Sequence, residues 1–508
     1  MSMKHLLASE RAWFAFAAGL GLYLCLALPV FSQEAYYWSY SQHPDLSYYD
    51  HPPMVAWLIW LGTKVFGHGA LGIRIGTLLC SIGLTLTGLV LLRSFGADSV
   101  ARRAWIVLSI GVPQYVVLHV LANPDPPLCL FWALSMLCLW RARDGLLGWW
   151  LCAGVAAGLA LLSKYMAAFL AVGGVLVLLF DPKMRRQLLC KGPWLGVLAA
   201  TLTFLPVILW NVNNNFESFR FQTGGRMAKA ALTTRWVNDA LVGQLGVFNP
   251  GLLLLLPFTV AWLFRKARSG DARALWLFAF GVPLPAFFLV ASLAIQVKIN
   301  WFVPAYLPLL LGMLLWWREH AAASFAKERW YVRLAVWTVM LVVALAPLAP
   351  LIRLVPQSKG STWSGWDRIA AAAESHRLQL DAEDQVQGNV FLFGADYKDS
   401  AQLLRALTIL SGDTKPASVL AQNVCGDPAL QFDHWDPPKR HIGEHAIFVL
   451  ARPDDRQEEV TQVKAFFASV EVKERVVVTA LGWPILEADL LICRSYRGPD
   501  IDSSVTGK

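Results

Sequence analysis

Charge is scarce in this sequence. Of 508 residues only 16% are Asp, Glu, Lys or Arg, while 56% are hydrophobic; a soluble chain carries about a quarter charged residues. No glycine-rich phosphate loop, Rossmann fingerprint or Asp-x-Asp beside an expected strand end is present, which disfavours soluble nucleotide-sugar chemistry. The eight cysteines form no CxxC and no Cys/His ligand spacing, so nothing demands a metal. Six of them (Cys25, Cys80, Cys129, Cys138, Cys152, Cys190) lie in or beside apolar segments. Cys425 and Cys493 share the polar part of the chain; they pair if it faces an oxidising compartment, or stay two unrelated thiols. The net charge of +9 comes without a basic stripe interleaved with aromatics, which argues against a nucleic-acid partner.

Long hydrophobic runs are abundant. Crossing roughly 30 Å of hydrocarbon takes about twenty apolar residues. Such runs occur at about 12–31, 69–92, 103–121, 126–140, 146–163, 165–180, 193–210, 249–264, 274–296, 299–317 and 331–350. Val30-Phe31-Ser32 resembles a signal-peptide cleavage site, but the apolar run before it exceeds a normal h-region, and it is expected to be retained as a helix. With the N-terminus inside, alternate loops carry Arg102 and Arg103; Arg141 and Arg143; Lys183, Arg185, Arg186 and Lys191; Arg265, Lys266 and Arg268; and Arg318, Lys327, Arg329 and Arg333. The opposite loops are poorer in basic residues. The positive-inside rule makes the first set cytoplasmic. The expected fold is a polytopic α-helical membrane protein with about eleven transmembrane helices. An odd number of spans places the region after the last one outside, as a periplasmic domain.

Two domains follow: a membrane domain over 1–355 and a soluble one over 356–508. In the second, Trp366 to Leu378 and Tyr397 to Leu407 read as helices. Asn389–Phe393, Ala446–Leu450, Val476–Val478 and Leu490–Arg494 read as strands, giving a small C-terminal α/β domain without visible chemistry.

The outward loops hold the candidate chemistry. The first reads Gln33-Glu34-Ala-Tyr-Tyr-Trp-Ser-Tyr40 and then Asp45-Leu-Ser-Tyr-Tyr-Asp50-His51-Pro-Pro53, and fits two juxtamembrane helices at about 33–42 and 53–66. An aromatic belt explains the rings but not Glu34, Asp45, Asp50 and His51 among them. Asp125 is squeezed between two spans by prolines, where an acid is costly unless solvated or functional. Lys164 and Tyr165 occupy a tight turn, Arg220 and Arg226 a long loop opening at Asn211, and Lys298 a short loop between spans. These cations stand on the disfavoured side. An anionic lipid headgroup would use them: cations hold its phosphate, and a carboxylate takes the proton of an attacking hydroxyl.

Glu34-Ala-Tyr-Tyr-Trp, Tyr48-Tyr-Asp-His-Pro-Pro53, Asn123-Pro-Asp-Pro-Pro127 and Leu162-Ser-Lys-Tyr165 together resemble the GT-C glycosyltransferases. More narrowly they resemble the bacterial branch of the protein O-mannosyltransferase family, which includes aminoarabinose and galacturonosyl transferases of lipid A and lipopolysaccharide core. The resemblance runs over the whole chain and implies a bacterial inner-membrane enzyme. It implies an undecaprenyl-phosphate-linked sugar donor, a lipid or glycan acceptor and inversion at the anomeric carbon; a divalent metal assists some relatives. It assigns catalysis to an acidic pair opening the first outer loop and to a second Asp, which Asp125 matches. The pair is Asp-Glu in the family and Gln33-Glu34 here. Glu34 then serves as base, or Asp50 does, or the enzyme is weakened or altered. Asp50-His51-Pro52 stands where relatives carry an acidic-basic-Pro motif near the lipid phosphate, making His51 a candidate for that contact. Two rival readings remain: a non-catalytic binding relative, and a transporter of lipid-linked saccharide, which would favour broken mid-membrane helices and internal repeats.

Overall fold

A computed structural model of the chain describes residues 9–225, 232–324, 330–357, 362–383, 390–412 and 417–499. Every apolar run of the sequence is occupied by helix. The first seven become Glu10–Ala27, Ala70–Ser94, Ser99–Gly111 with Pro113–Val120, Asp125–Ala142, Leu147–Ser163, Phe169–Phe180 and Lys191–Asn213. The last four become Pro250–Arg268, Ala272–Gly281 with Pro283–Ala291, Val303–Ser324 and Trp330–Leu345. Six helical stretches among the described residues are long and apolar enough to cross a membrane, and eight if two bent pairs each count as one. The chain is a multi-pass helical membrane protein. The other runs are short or broken: Leu147–Ser163 has 17 residues, and the bend of 70° between Gly111 and Pro113 follows from a proline that lacks an N–H and clashes with the preceding turn.

The contacts divide the chain into two units: Met1–Leu26, Asp45–Leu58 and Arg74–Ala349, and Ala27–Pro44, Ile59–Ile73 and Pro350–Lys508. In the first unit the loops sort into two sets. Glu10 takes Arg93 at 3.0 Å and Arg102 at 2.7 Å. Arg143 reaches Asp181 at 2.7 Å, Lys266 reaches Glu319 at 2.8 Å, and Arg318 reaches Asp98 through Nε at 2.9 Å. Each pair joins loops expected on the basic face. Asp98 also caps the Ser99–Gly111 helix by accepting from the Ala101 N–H, and Asp271 caps the Ala272–Gly281 helix by accepting from the Arg273 and Ala274 N–H groups. Lys327 and Arg329 lie outside the described residues.

The second unit contains a five-stranded sheet in the order β2-β1-β3-β5-β4, with β1 Val390–Gly394, β2 Val419–Leu420, β3 His445–Ala451, β4 Phe467–Ala480 and β5 Trp483–Tyr496. β1 runs parallel to β2 and β3, and β5 pairs antiparallel with β3 and β4. Alternation decides which side chain goes to which face. Leu392, Ile447, Val449 and Leu490 pack with the Trp366–Glu383 and Tyr397–Ser411 helices, while Phe391, Phe393, Phe448 and Leu491 pack with residues of the Gln457–Phe466 helix. The expected strand at Val476–Val478 belongs to the second half of a longer one, Phe467–Ala480, in which Glu471–Arg475 is exposed on both faces and masks the period; Asn389 lies outside the described residues. Cys425 and Cys493 are both free thiols.

The same unit includes the helix Ser32–Gln42, expected at 33–42. Tyr36 is fully buried against Tyr397 and Phe432, with ring centroids 4.7 and 6.3 Å away, and its hydroxyl accepts from the Gln431 N–H. Gln402 donates to the carbonyls of Val30 and Thr362 at 2.8 and 3.2 Å. The aromatic run is therefore a packing surface for the polar domain more than a plain membrane belt.

Candidate active site

The first unit gathers a set of polar residues from the other loop set. Asp125 opens the Asp125–Ala142 helix, where the helix dipole favours an acid. Its own N–H donates to Asn123 Oδ1 at 2.9 Å, so the Asn-Pro-Asp-Pro-Pro turn is closed on itself. The carboxylate is 1% exposed. One oxygen accepts from Lys164 Nζ at 2.7 Å and the other from Asn300 Nδ2 at 2.6 Å. Lys164 is placed by the end of the Leu147–Ser163 helix, where its backbone turns extended before the 3-10 turn Tyr165–Ala168. Asn300 comes from the 3-10 turn Ile299–Phe302, and Lys298 stands exposed at its entry. Three loops thus converge on one buried carboxylate. Taking such a pair out of water has a large desolvation penalty that only close contacts offset.

A second group lies around the loop 45–53. Trp210 Nε1 donates to Asp45 Oδ2 at 2.9 Å, and Trp57 Nε1 to the Asp45 carbonyl at 3.0 Å. Tyr48 is buried, which pushes its phenol above the ordinary range. Gln222 donates to the carbonyl of Asp50 at 2.8 Å, and His51 Nε2 stands 3.9 Å from the Asp50 carboxylate. Tyr165 Oη is 2.7 Å from Ser218 Oγ; Ser218 and Asn211 are both fully buried, and Asn211 accepts from the Phe219 N–H. Met54, Leu162 and Val207 form the apolar cluster against which Trp57, Tyr165 and Phe219 pack. Loop 45–53, the 164–165 turn and the 211–222 segment are therefore one structural block.

Glu34 belongs to the second unit. It is buried, and Oε2 accepts from the Phe31 N–H at 3.0 Å, which makes it the N3 half of a capping box on its own helix. Gln33 beside it is half-buried. Arg220 is exposed at the end of the short helix Glu217–Arg220, and Arg226 lies outside the described residues. Of the expected site residues, the structure brings Asp125 together with Lys164, and Asp50 with His51 and Tyr165.

Sequence reasoning missed Asn300, Ser218 and Gln222, and placed Asn211 at the start of a loop, whereas it is buried in the last turn of the Lys191–Asn213 helix. Asn300 had a signal, a lone amide between Ile299 and Trp301 next to Lys298. Ser218 and Gln222 had none, since a polar residue in a long loop is ordinary. No group of three His, Cys, Asp or Glu among the described residues is arranged to hold a metal ion, and both oxygens of Asp125 already have partners.

Residues 50–210 match the family model described as dolichyl-phosphate-mannose-protein mannosyltransferase. That span contains Asp50, His51, Asp125, Lys164 and Tyr165. The lipid A galacturonosyltransferase RgtD of Rhizobium johnstonii is 27% identical over 288 residues, 55% of this chain and 59% of that protein. The undecaprenyl phosphate-alpha-4-amino-4-deoxy-L-arabinose arabinosyl transferase 1 of Pseudomonas fluorescens is 28% identical over 293 residues, 54% of this chain and 51% of that one. The chain thus matches these relatives over little more than half their length. The crystal structure of ArnT from Cupriavidus metallidurans bound to undecaprenyl phosphate superposes with a TM-score of 0.62 at 15% identity, covering 94% of this chain and 97% of that one. The fold is of that kind.

Proposed function

We propose that this chain, which carries a dolichyl-phosphate-mannose-protein mannosyltransferase family domain over residues 50–210, is a GT-C glycosyltransferase that moves one sugar from a polyprenyl phosphate to a lipid or glycan acceptor. The observation that carries the reading is the buried Asp125 carboxylate, held by Lys164 and Asn300 inside the matched span or next to it in space. Undecaprenyl phosphate is the donor carrier because the solved neighbour is bound to that lipid and an arabinosyl relative is named for it. Lipid A is the first acceptor to try because the galacturonosyl relative is named for it. These two relatives transfer a hexuronic acid and an aminopentose, so both sugar classes belong in the assay.

The chemistry is a single displacement. A carboxylate takes the proton of the acceptor hydroxyl as its oxygen attacks the anomeric carbon. The bond to the prenyl phosphate breaks on the opposite face, inverting the centre, and the phosphate leaves as an anion. Cations that hold it make a general acid unnecessary. Lys164 suits that role because a lysine is a mobile point charge on a flexible stem, able to turn from Asp125 towards an arriving phosphate. His51, Tyr165, Arg220, Arg226 and Lys298 are assigned to the same headgroup. Between the two other acids, Asp50 takes the base role if Glu34 remains committed to capping its helix.

We place the transfer in the membrane domain, 1–355, with eleven crossings, and the domain 356–508 on the periplasmic side of a bacterial inner membrane. The loop pairs support this arrangement, since basic loops contact basic-side partners and Asp125, Lys164 and Asn300 meet on the other set. A second reading has one observation in its favour: Gln33 replaces the family's acid and Glu34 is engaged with Phe31, as in a non-catalytic binding relative. Purified full-length protein incubated with undecaprenyl-phosphate-linked galacturonic acid or aminoarabinose and lipid A decides between them. A mass increase of one sugar on lipid A is expected; donor binding without transfer to any acceptor would leave the binding reading.

A further inference from the structure

We propose that the tip of the β4–β5 hairpin, Leu481-Gly482-Trp483, inserts into the interfacial layer of the bilayer beside the exit of the last apolar helix. β4 and β5 are joined by a two-residue turn, with Ala480 opposite Trp483 and positive φ at both Leu481 (50°) and Gly482 (85°). Such primed turns favour Asn, Asp or Gly at the first position. Leucine there gains nothing for the turn, and its side chain is 82% exposed, so it adds nothing to the core. Trp483 next to it is 75% exposed. A residue that breaks a local rule with no folding benefit marks a function.

The occupant follows from where the hairpin is tethered. The Gln357 N–H donates to the Ile485 carbonyl at 2.9 Å, and the Gln357 side-chain carbonyl takes the N–H groups of Trp363 and Ser364. Gln357 is buried and comes three residues after Leu354, the end of the apolar helical stretch Trp330–Leu354. Three residues reach at most about 10 Å, and Trp483 is two residues, roughly 7 Å, from Ile485. The tip is therefore within about 20 Å of Leu354, the end of that apolar stretch. Leu351, Leu354 and Val355 at that end are exposed too, with Arg353 among them. Tryptophan prefers the headgroup level, and an arginine on a flexible stem reaches up to it. A lipid surface is thus the partner whose chemistry fits both the side chains and the tether. Lipid contact at the hairpin would hold the polar domain against the leaflet, whatever substrate the protein handles.

The test uses the full chain with Cys152, Cys190 and Cys425 changed to Ser. A bimane probe is placed by Leu481→Cys, by Trp483→Cys in a second variant, and by Glu471→Cys as a control ten residues back along β4, roughly 30 Å away. The proteins are reconstituted into phosphatidylethanolamine–phosphatidylglycerol vesicles. Lipid carrying a spin label near the headgroup is expected to quench both tip probes severalfold more than the control, with iodide showing the opposite order. Iodide quenching of the tip equal to that of the control overturns the proposal, and so does shielding from both quenchers, which would mean that protein covers the tip. Leu481→Asn, suited to positive φ, is expected to melt in detergent no lower than the wild type; a clear fall would return Leu481 to a folding role and overturn the argument.

Discussion

Two buried ion pairs in this charge-poor chain look alike on paper and differ in construction. In the polar domain Arg456 is 2% exposed and bridges two acids, Asp399 at 2.7 Å and Asp396 at 2.8 Å. Asp399 also accepts from Thr362 at 2.8 Å, and Asp396 caps the Tyr397–Ser411 helix through the N–H groups of Lys398 and Asp399. The guanidinium cannot give up its proton, and its planar fork is locked by two contacts. Arg456 and its two acids join the segments that follow β3 and β1. The Asp125–Lys164 pair joins loops instead, with a single contact from a flexible amine and an amide on the second oxygen. Burial and pairing do not nominate a catalytic carboxylate by themselves. Under the proposed function the distinguishing feature is a cation able to change partner.

The largest effect that breaks or sharpens this contrast is on transfer. Asp125→Asn is expected to abolish sugar transfer. It also leaves Lys164 without its counter-charge, at a stability cost of up to about 3 kcal/mol, more than the similar size of Asn alone would suggest. Adding Lys164→Gln is expected to recover most of that stability and none of the activity, measured by melting in detergent and by turnover of undecaprenyl-phosphate-linked sugar. If the double variant regained transfer, Asp125 would be no more than a structural mate for Lys164.

Arg456→Met should do the reverse, lowering stability by about 3–5 kcal/mol while leaving turnover per folded molecule near wild type. Asp399 provides the accompanying pH signature. Burial, and next the like charge of Asp396, push its carboxyl up to about 6 against the pull of Arg456. A raised carboxyl keeps its proton better folded than unfolded, so its contribution is fully present below an unfolded value of about 4 and is lost as pH rises through about 6. Asp399→Asn is expected to flatten the melting temperature over that window. An unchanged slope would show that the carboxylate is charged throughout.

Next in size is the choice of base. Glu34→Gln keeps a carbonyl to accept from Phe31, so the cap survives and the fold effect is small, well under the ~1 kcal/mol of losing a cap. Any lost transfer is then chemical. If Asp50 is the base, Asp50→Asn loses activity and Glu34→Gln keeps much of it; the opposite pattern hands the role to Glu34. Gln33→Asp adds a like charge beside Glu34 and should raise at least one of the two pKa values, slowing a working enzyme or moving its pH optimum upward. Activity appearing from nothing in that variant would identify the natural chain as a lapsed transferase.

The contrast also explains what the sequence disclosed. Hydrophobic runs reveal membrane helices because each must satisfy its own backbone and present apolar surface along its length. All eleven runs were legible as helix that way, and six to eight helical stretches among the described residues are long and apolar enough to cross a membrane. Asp125 and Lys164 were legible as charges in the wrong place. The Arg456 network was not, because its members are ordinary surface residues in sequence, and only the crossover from β1 to β3 brings them together. The β4–β5 hairpin reads as two short strands in sequence because Glu471 to Arg475 of β4 are exposed on both faces and, Val472 apart, charged.

The smallest expected effect concerns His441, again in the polar domain. Its Nδ1 is 2.6 Å from Glu444 and its Nε2 3.0 Å from Asp436, and the ring lies 4.9 Å from Phe391. Burial pulls the imidazole pKa down, but the bonds to Asp436 and Glu444 more than offset it and hold the pKa above the ordinary value. Asp436 is correspondingly held low, first by His441, with burial opposing and Ser418 and Arg440 assisting. A histidine raised in the folded state binds its proton more tightly there than in the unfolded chain. Its stabilisation is complete below the unfolded value near 6.5 and disappears as pH climbs through the higher folded value. Asp436 behaves oppositely, contributing above its unfolded value and losing that contribution as acid approaches its lowered one. Stability from this cluster therefore peaks between the two. His441→Gln keeps a donor for one carboxylate and cannot titrate, so it should be less stable than the wild type at pH 6 by about 1–2 kcal/mol, the worth of a charge-assisted bond. The gap should narrow by pH 9. Parallel melting curves for the two proteins across that range would mean that His441 is neutral in the native protein, and the cluster would then be an uncharged hydrogen-bond set like those around Ser218.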